Sequence, residues 1–460
     1  MSLASSRRGR AKSSDVSRDA LADPSLHRAR RQRLLNTLGD GVLILPTAPE
    51  TRRNGDVHNE YRPGSDMLYL TGFPEPAAVL VAWRLDRRRH KAILFVRPKD
   101  RTREIWDGRR YGTRGCKQRF GVDEARSIED LWTDLPGLLS NDGTVLHTFG
   151  VDGSFDQRLF SVFRDLAARR KKSRSPAHPV LKDPGPALAA QRLVKDAVEI
   201  AAMRRAAEVT CAGHVAAMTG TRPGMYEYES QALVEAAFRV AGSSRNGYPS
   251  IVASGANACV LHYHENDRRM RSGDLLLIDA GAEVDGMTGD VTRTFPVGGV
   301  FTEPQKAVYR VVLRAQLAGI RACKPGAAWD APHRACVRAL TKGLIELGVL
   351  RGDPKALIKA GAYRPYYMHG TSHWLGRDVH DVGGYEDERG SQALMPAGAV
   401  LTVEPGLYFA SDSRDVAKEL RGIGVRIEDD VLVTKRGPEV LTAAAPKSIR
   451  DVEALMRGAR

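Results

Sequence analysis

Gly273-Asp274-Leu275-Leu276-Leu277-Ile278-Asp279-Ala280-Gly281 has a diverged counterpart in Gly398-Ala399-Val400-Leu401-Thr402-Val403-Glu404-Pro405-Gly406. Each copy has a glycine, an apolar run of strand length, a carboxylate six residues after the glycine and a second glycine two residues on. Upstream of each, a Pro-Gly turn introduces a helical run, Arg222-Pro223-Gly224 in one case and Lys324-Pro325-Gly326 in the other. Such self-similarity marks a repeated structural unit. Residues 190–450 therefore read as two related halves that set equivalent carboxylates, Asp279 and Glu404, at equivalent strand ends. Chance likeness of two Gly-strand-Gly units is the competing reading until the chemistry is considered.

Two further carboxylates sit in strand-like settings: Asp290 in Gly289-Asp290-Val291-Thr292-Arg293-Thr294-Phe295, and Glu428 in Val425-Arg426-Ile427-Glu428-Asp429. Burying several carboxylates is costly unless cations or hydrogen bonds compensate them. Three of the twelve histidines, His369, His373 and His380, fall within twelve residues among glycines and small residues, a density that packing does not explain. Four carboxylates and one neutral imidazole carry about −4 at neutral pH, the charge that two divalent cations balance. Oxygen-rich ligation with one nitrogen suits Mn²⁺, Mg²⁺ or Co²⁺ and disfavours a thiolate zinc site. Two such ions about 3.5–4 Å apart around a water are what a two-metal hydrolase needs.

Outward from this core, the 460 residues suffice for two domains, and 42% hydrophobic with 27% charged residues is an ordinary globular balance. A boundary is expected at 173–186, where Pro176, Pro179, Pro184 and Pro186 stand among basic residues. Before it, residues 36–172 read as an α/β domain, with strand-like runs at 42–45, 67–70, 78–83 and 92–96 and helical stretches at 124–139 and 157–168. After it, residues 187–460 form the domain with the repeat, entered through a long helix over 195–218. Residues 1–35 read as a flexible basic extension, with a short helix starting at Asp23-Pro24-Ser25 and running to Leu35.

The net charge of +15 raises the possibility of a polyanion partner. Much of the surplus lies in residues 1–35, with nine Lys/Arg against three Asp, and in Arg169-Arg170-Lys171-Lys172-Ser173-Arg174. Aromatics do not interleave with either run, so solvated charge is expected and nucleic acid is not. No run approaches the ~20 apolar residues of a membrane helix, and the Arg-rich N-terminus lacks the apolar segment of a secretory signal. Five cysteines without a Cys-x-x-Cys pair argue against a disulfide framework. A soluble, cytoplasmic protein with buried free thiols is the expectation.

Taken together, Ile278-Asp279-Ala280-Gly281, Asp290-Val291-Thr292-Arg293-Thr294-Phe295-Pro296, His369-Gly370-x-x-His373-Trp374-Leu375-Gly376-x-Asp378-Val379-His380-Asp381, Thr402-Val403-Glu404-Pro405-Gly406 and Gly424-Val425-Arg426-Ile427-Glu428-Asp429 closely resemble the Xaa-Pro aminopeptidase (aminopeptidase P) branch of the dinuclear pita-bread metallopeptidases. The likeness extends over residues 36–458 and takes in Tyr61-Arg62-Pro63-Gly64-Ser65-Asp66, Tyr69-Leu70-Thr71-Gly72-Phe73 and Glu104-Ile105-Trp106-x-Gly108-Arg109-Arg110. The resemblance implies an aminopeptidase P-like α/β N-terminal domain and an α+β pita-bread catalytic domain with an internal pseudo-twofold repeat. It implies that Asp279, Asp290, His373, Glu404 and Glu428 hold two divalent ions, Mn²⁺ foremost, with Asp290 and Glu428 bridging and Glu404 also carrying a proton. It further implies that His369 and His380 contact the scissile carbonyl, that His262 lines the proline side, and that Arg426 stands near the site. The substrates implied are peptides with proline in second position, and the assembly a homo-oligomer, dimer or tetramer, in which Asp56 and Arg174 complete the substrate site across subunits.

Two departures bear on the pocket. Tyr248-Pro249-Ser250-Ile251 lacks about three residues that relatives usually carry between Pro-Ser and Ile-Val, and Met287 replaces a frequent tyrosine. A proline dipeptidase and a non-catalytic pita-bread binding module are the alternatives; binding modules typically lose the metal ligands, and all five are present here.

Overall fold

The computed structural model describes residues 21–139, 143–173, 180–387 and 389–459. The chain divides into two units, residues 1–191 and 192–460. In the first, six strands make one mixed sheet in the order Glu124–Ser127, His90–Val96, Val79–Arg84, Val42–Pro46, Thr144–Leu146, Val180–Lys182. Strand residues alternate between faces, and both faces of the inner strands Val42–Pro46, Val79–Arg84 and His90–Val96 are covered, which is why these read as continuous apolar runs. Leu43, Leu80, Ala82 and Leu94 pack with Leu34, Leu35, Met67 and Cys116 on one side. Val42, Ile44, Val81, Ile93 and Phe95 pack with Leu131, Leu135, Leu159 and Phe163 on the other.

Four sequence expectations change in this unit. The run 67–70 is part of a helix, Ser65–Thr71, which Gly72 ends in the left-handed conformation; four apolar residues do not tell strand from buried helix. The stretch 124–139 opens as strand Glu124–Ser127 and becomes helical at Ile128. The basic helix spans Pro24–Leu38 and is no flexible extension, because Arg30 and Arg31 are buried together with Leu34 and Leu35. Arg31 donates to the Leu70 and Gly121 carbonyls, and the Arg30 guanidinium lies 4.2 Å from the centre of the Tyr69 ring. Finally, Val180–Lys182 within the expected linker adds an edge strand to the sheet, where a proline close by, Pro184, is tolerated.

In the second unit the repeat is visible in the backbone. Helices Ala197–Gly220 and Glu227–Val240 precede the antiparallel strands Ile251–Ser254, Leu275–Ala280 and Val291–Pro296. Helices Glu303–Ala322 and Ala331–Glu346 precede strands Val400–Val403, Asp429–Thr434 and Gly437–Val440. The Pro-Gly turns join the helices of each pair and make matching bonds: Gly224 N to Met270 O at 2.9 Å with Met270 N to Met225 O at 2.8 Å, and Gly326 N to Met395 O with Met395 N to Ala327 O, both 2.9 Å. Three residues further, Gly273 and Gly398 turn the chain into the two apolar strands with φ of +90° and +94°, a conformation open chiefly to glycine. Among the described residues no helix is long and apolar enough to cross a membrane.

Candidate active site

The strand ends deliver the carboxylates. Asp279 lies near the end of Leu275–Ala280, in register with Thr292 of the neighbouring strand, while Asp290 immediately precedes that strand. Glu404 follows Val400–Val403, and Glu428 stands between Gly424–Arg426 and Asp429–Thr434. Together with His373 these residues line one cleft of about 400 Å³, which His262, His369, His380 and Arg426 also face. The structure thus brings together all nine of the residues assigned to this domain's site from the sequence. Asp56 is exposed in a hairpin turn of the N-terminal unit and is not among the lining residues. Arg174 lies outside the described residues.

Ligand-type atoms of Asp290, His373 and Glu428 lie within 4.8 Å of one another. His373 Nε2 is 3.3 Å from Asp290 Oδ2 and 3.6 Å from Glu404 Oε1, and its Nδ1 is 3.1 Å from the Trp374 carbonyl, which fixes the ring. The His380 ring meets the His373 ring edge to face at 4.4 Å. Arg426 donates Nη2 to Asp279 Oδ2 at 2.7 Å, Nε to Thr292 Oγ1 at 3.1 Å and Nη1 to the Tyr408 hydroxyl at 3.2 Å. His369 Nε2 is 2.8 Å from that same hydroxyl.

Sequence reasoning missed several supporting groups. Tyr248 donates to Asp279 at 2.6 Å and also bonds Asp290. Thr292 donates to Glu428 at 2.6 Å, and the Asp430 carboxylate accepts from the Asp290 N–H. Tyr248 sits directly before the Pro-Ser of the shortened segment, the one signal available for it. Met287 is fully buried and absent from the cleft lining, while Pro249 and Ile251 of the shortened segment do line it.

Crowding of like charge governs the electrostatics. Burial first, then Asp290, Glu404 and Asp279, push the Glu428 carboxyl well above its ordinary range. Burial and then Asp290 raise Glu404 to about 7 against the pull of His373. Burial and Asp279 raise Asp290, again against His373. Burial acts upward on Asp279 too, yet Arg426 and the Tyr248 hydroxyl outweigh it and hold this carboxyl low. Burial would lower His373, but its bond to Asp290 lifts it to about 9. Buried carboxylates that repel one another this strongly are what cations compensate, and four carboxylates with one imidazole form the oxygen-rich set that suits hard or borderline divalent ions. The donor set fits a metal pair.

Comparison with known proteins agrees with this geometry. A model of metallopeptidase family M24 matches residues 201–435, and a model of the aminopeptidase P N-terminal domain matches residues 27–147. The chain is 44% identical over 434 residues to the Xaa-Pro aminopeptidase of Escherichia coli, covering 94% of this chain and 97% of that one. It is 42% identical to the Xaa-Pro aminopeptidase of Haemophilus influenzae, covering 91% and 93%. Among solved structures, zinc-substituted E. coli aminopeptidase P in complex with product superposes with a TM-score of 0.92 at 41% identity, covering 95% of this chain and 99% of that one.

Proposed function

The chain belongs to metallopeptidase family M24, and from this we infer that it is an Xaa-Pro aminopeptidase that releases the first residue of peptides whose second residue is proline. The convergence of Asp279, Asp290, His373, Glu404 and Glu428 on one cleft carries the reading. These five residues would hold two divalent ions, Mn²⁺ foremost. Bound there, the pair supplies Lewis-acid activation of water and of the scissile carbonyl.

Glu404 is the proton carrier. In the metal-free cleft burial and Asp290 raise its carboxyl to about 7, and as proton carrier it would deliver a proton to the nitrogen of the departing proline. Burial and then Arg426 push His369 down to about 4, so it faces the carbonyl as a neutral ring whose Nε2 is tied to Tyr408. His380 stands beside His373 and contacts the carbonyl as well. His262 lines the place of the proline ring, with Leu261 and Ile251 as apolar neighbours. Proline lacks an N–H and has a fixed φ, so a pocket for it needs an apolar wall more than a hydrogen-bond acceptor.

Exposed Ile105 and Trp106, on a short helix without buried residues, support assembly into a homo-oligomer, dimer or tetramer, which sedimentation velocity measures. Five free cysteines, four of them buried, support a reducing compartment such as the cytoplasm. The deciding assay compares Xaa-Pro-Yaa and Xaa-Ala-Yaa tripeptides with an Xaa-Pro dipeptide, using metal-stripped protein with and without Mn²⁺. Metal-dependent release of the first residue only before proline, tripeptides included, is the expected result. Activity confined to the dipeptide would make the protein a proline dipeptidase, and no hydrolysis with any divalent metal would leave a binding module.

A further inference from the structure

A cluster of buried ion pairs lies next to the cleft and touches none of the five ligands. Its centre is Asp381, whose side chain is 1% exposed. Arg192 Nη2 donates to Asp381 Oδ1 at 2.6 Å and Lys195 Nζ to Oδ2 at 3.0 Å, from side chains 4% and 2% exposed. Arg192 also reaches Asp378 at 2.8 Å, and Arg377 pairs with buried Glu199 at 3.4 Å. Arg192 lies in the last turn of helix Gly185–Leu193, Lys195 in the short connection that follows and Glu199 in the first turn of the long helix Ala197–Gly220, whereas Arg377, Asp378 and Asp381 belong to one loop.

That loop carries His380. It is closed by Asp381 N donating to the Trp374 carbonyl at 2.9 Å and fastened to a strand by Thr288 N donating to the Gly376 carbonyl at 2.8 Å. A Cβ on Gly376 would come within 2.1 Å of Asp381 Oδ2 and 2.9 Å of Lys195 Cε, so the loop backbone lies against the ion pair itself. The metal-side histidine has one anchor outside this loop, His373 N donating to Thr402 Oγ1 at 3.1 Å, and shares the other, because the Trp374 carbonyl that closes the loop also lies 3.1 Å from its Nδ1. We propose that Arg192, Lys195 and Asp381 are positioning residues for the reaction: a buried clamp that sets the height of His380 over the substrate carbonyl without contributing to metal binding. A side chain adjacent to a doubly clamped carboxylate has little freedom to drift, and displacement of a catalytic group by about 1 Å costs on the order of 10²-fold in rate.

The inference rests on His380 facing the substrate, so the test separates the two. His380→Ala is measured first on an Xaa-Pro-Yaa tripeptide in the Mn²⁺-loaded enzyme; an unchanged kcat there overturns the role of His380 itself. Asp381→Asn and Lys195→Met are then made in the wild-type and His380→Ala backgrounds. In the wild-type background kcat is expected to fall on the order of 10²-fold, with KM and Mn²⁺ affinity held, and Lys195→Arg is expected to recover most of the loss. In the His380→Ala background the same substitutions should cost no more than about twofold, because residues acting through one another do not add. Equal losses in both backgrounds, or loss of metal in place of kcat, would overturn the clamp. Should Lys195→Met fail to fold, the nearly isosteric Asp381→Asn carries the comparison alone.

Discussion

Removing the metal while changing Glu404 to Gln turns the electrostatics of the cleft into a stability measurement. In the metal-free protein the Glu404 carboxyl titrates near 7, raised by burial and by Asp290 from an ordinary value of 4.5. Below about pH 4.5 the group is protonated folded and unfolded, and it contributes nothing to pH dependence. Between the two values the unfolded chain gives up the proton that the folded cleft retains, so stability falls by about 1.4 kcal/mol for each pH unit. The loss is complete above pH 7 and amounts to about 3 kcal/mol. Glu404→Gln keeps the shape and removes the titration. The metal-free variant should therefore match the metal-free wild type near pH 4.5 and exceed it by about 3 kcal/mol at pH 8, or roughly 6 °C at about 2 °C per kcal/mol for a unit of this size. Differential scanning calorimetry over pH 4.5–8 in a chelating buffer reads the gap, and subtracting the two proteins cancels the titrating groups that lie outside the cleft. Saturating Mn²⁺ should invert the order, since only the wild type offers all four carboxylates. A gap that is already present at pH 4.5, or none at pH 8, would refute the reasoning.

Tyr248→Phe removes a buried donor shared by Asp279 and Asp290; Mn²⁺ affinity by calorimetric titration should weaken about 10–100-fold, the usual cost of losing a group that orients metal ligands. Arg293→Met breaks a fully buried pair with Asp429 at 2.7 Å, leaving that carboxylate to Lys447 and Gln316. It should destabilise the catalytic unit by about 3–5 kcal/mol in denaturant unfolding.

That Asp279 and Glu404 share one cleft was legible because each is announced locally: a carboxylate at the end of an apolar strand, with a glycine two residues on, needs only a few residues of context. The repeat was legible for the same reason, since Gly273 and Gly398 force the same turn in both halves. What stayed hidden depends on register between distant segments. Tyr248 meets its two carboxylates 31 and 42 residues away, and Lys195 meets Asp381 across 186. Charge misled in one place: the arginines of the N-terminal helix looked like a solvated run, yet Arg30 and Arg31 are buried, one over an aromatic ring and the other on backbone carbonyls. A guanidinium is weakly hydrated and has five donors to place, so a basic stretch does not by itself mark an exposed one.

Duplication put carboxylates at equivalent strand ends, and the surroundings then drove them apart. Asp279 has Arg426 at 2.7 Å and stays anionic, while at Glu404 burial and Asp290 outweigh His373 and the weaker pull of Arg426 and raise the carboxyl to about 7. Two carboxyl groups with separated proton affinities can divide their work, one anchoring a cation and the other carrying a proton. If Arg426 causes the division, Arg426→Met should abolish it: Asp279 would follow its burial upward and hold a proton in the metal-free protein at pH 6. Because bound ligands must be deprotonated, Mn²⁺ binding to the variant at pH 6 should be weaker and should release close to one proton more than binding to the wild type. Calorimetric titration in buffers of different ionisation enthalpy counts those protons directly. An unchanged proton count would mean that the Tyr248 hydroxyl, which also donates to Asp279, holds this carboxyl low without help from Arg426.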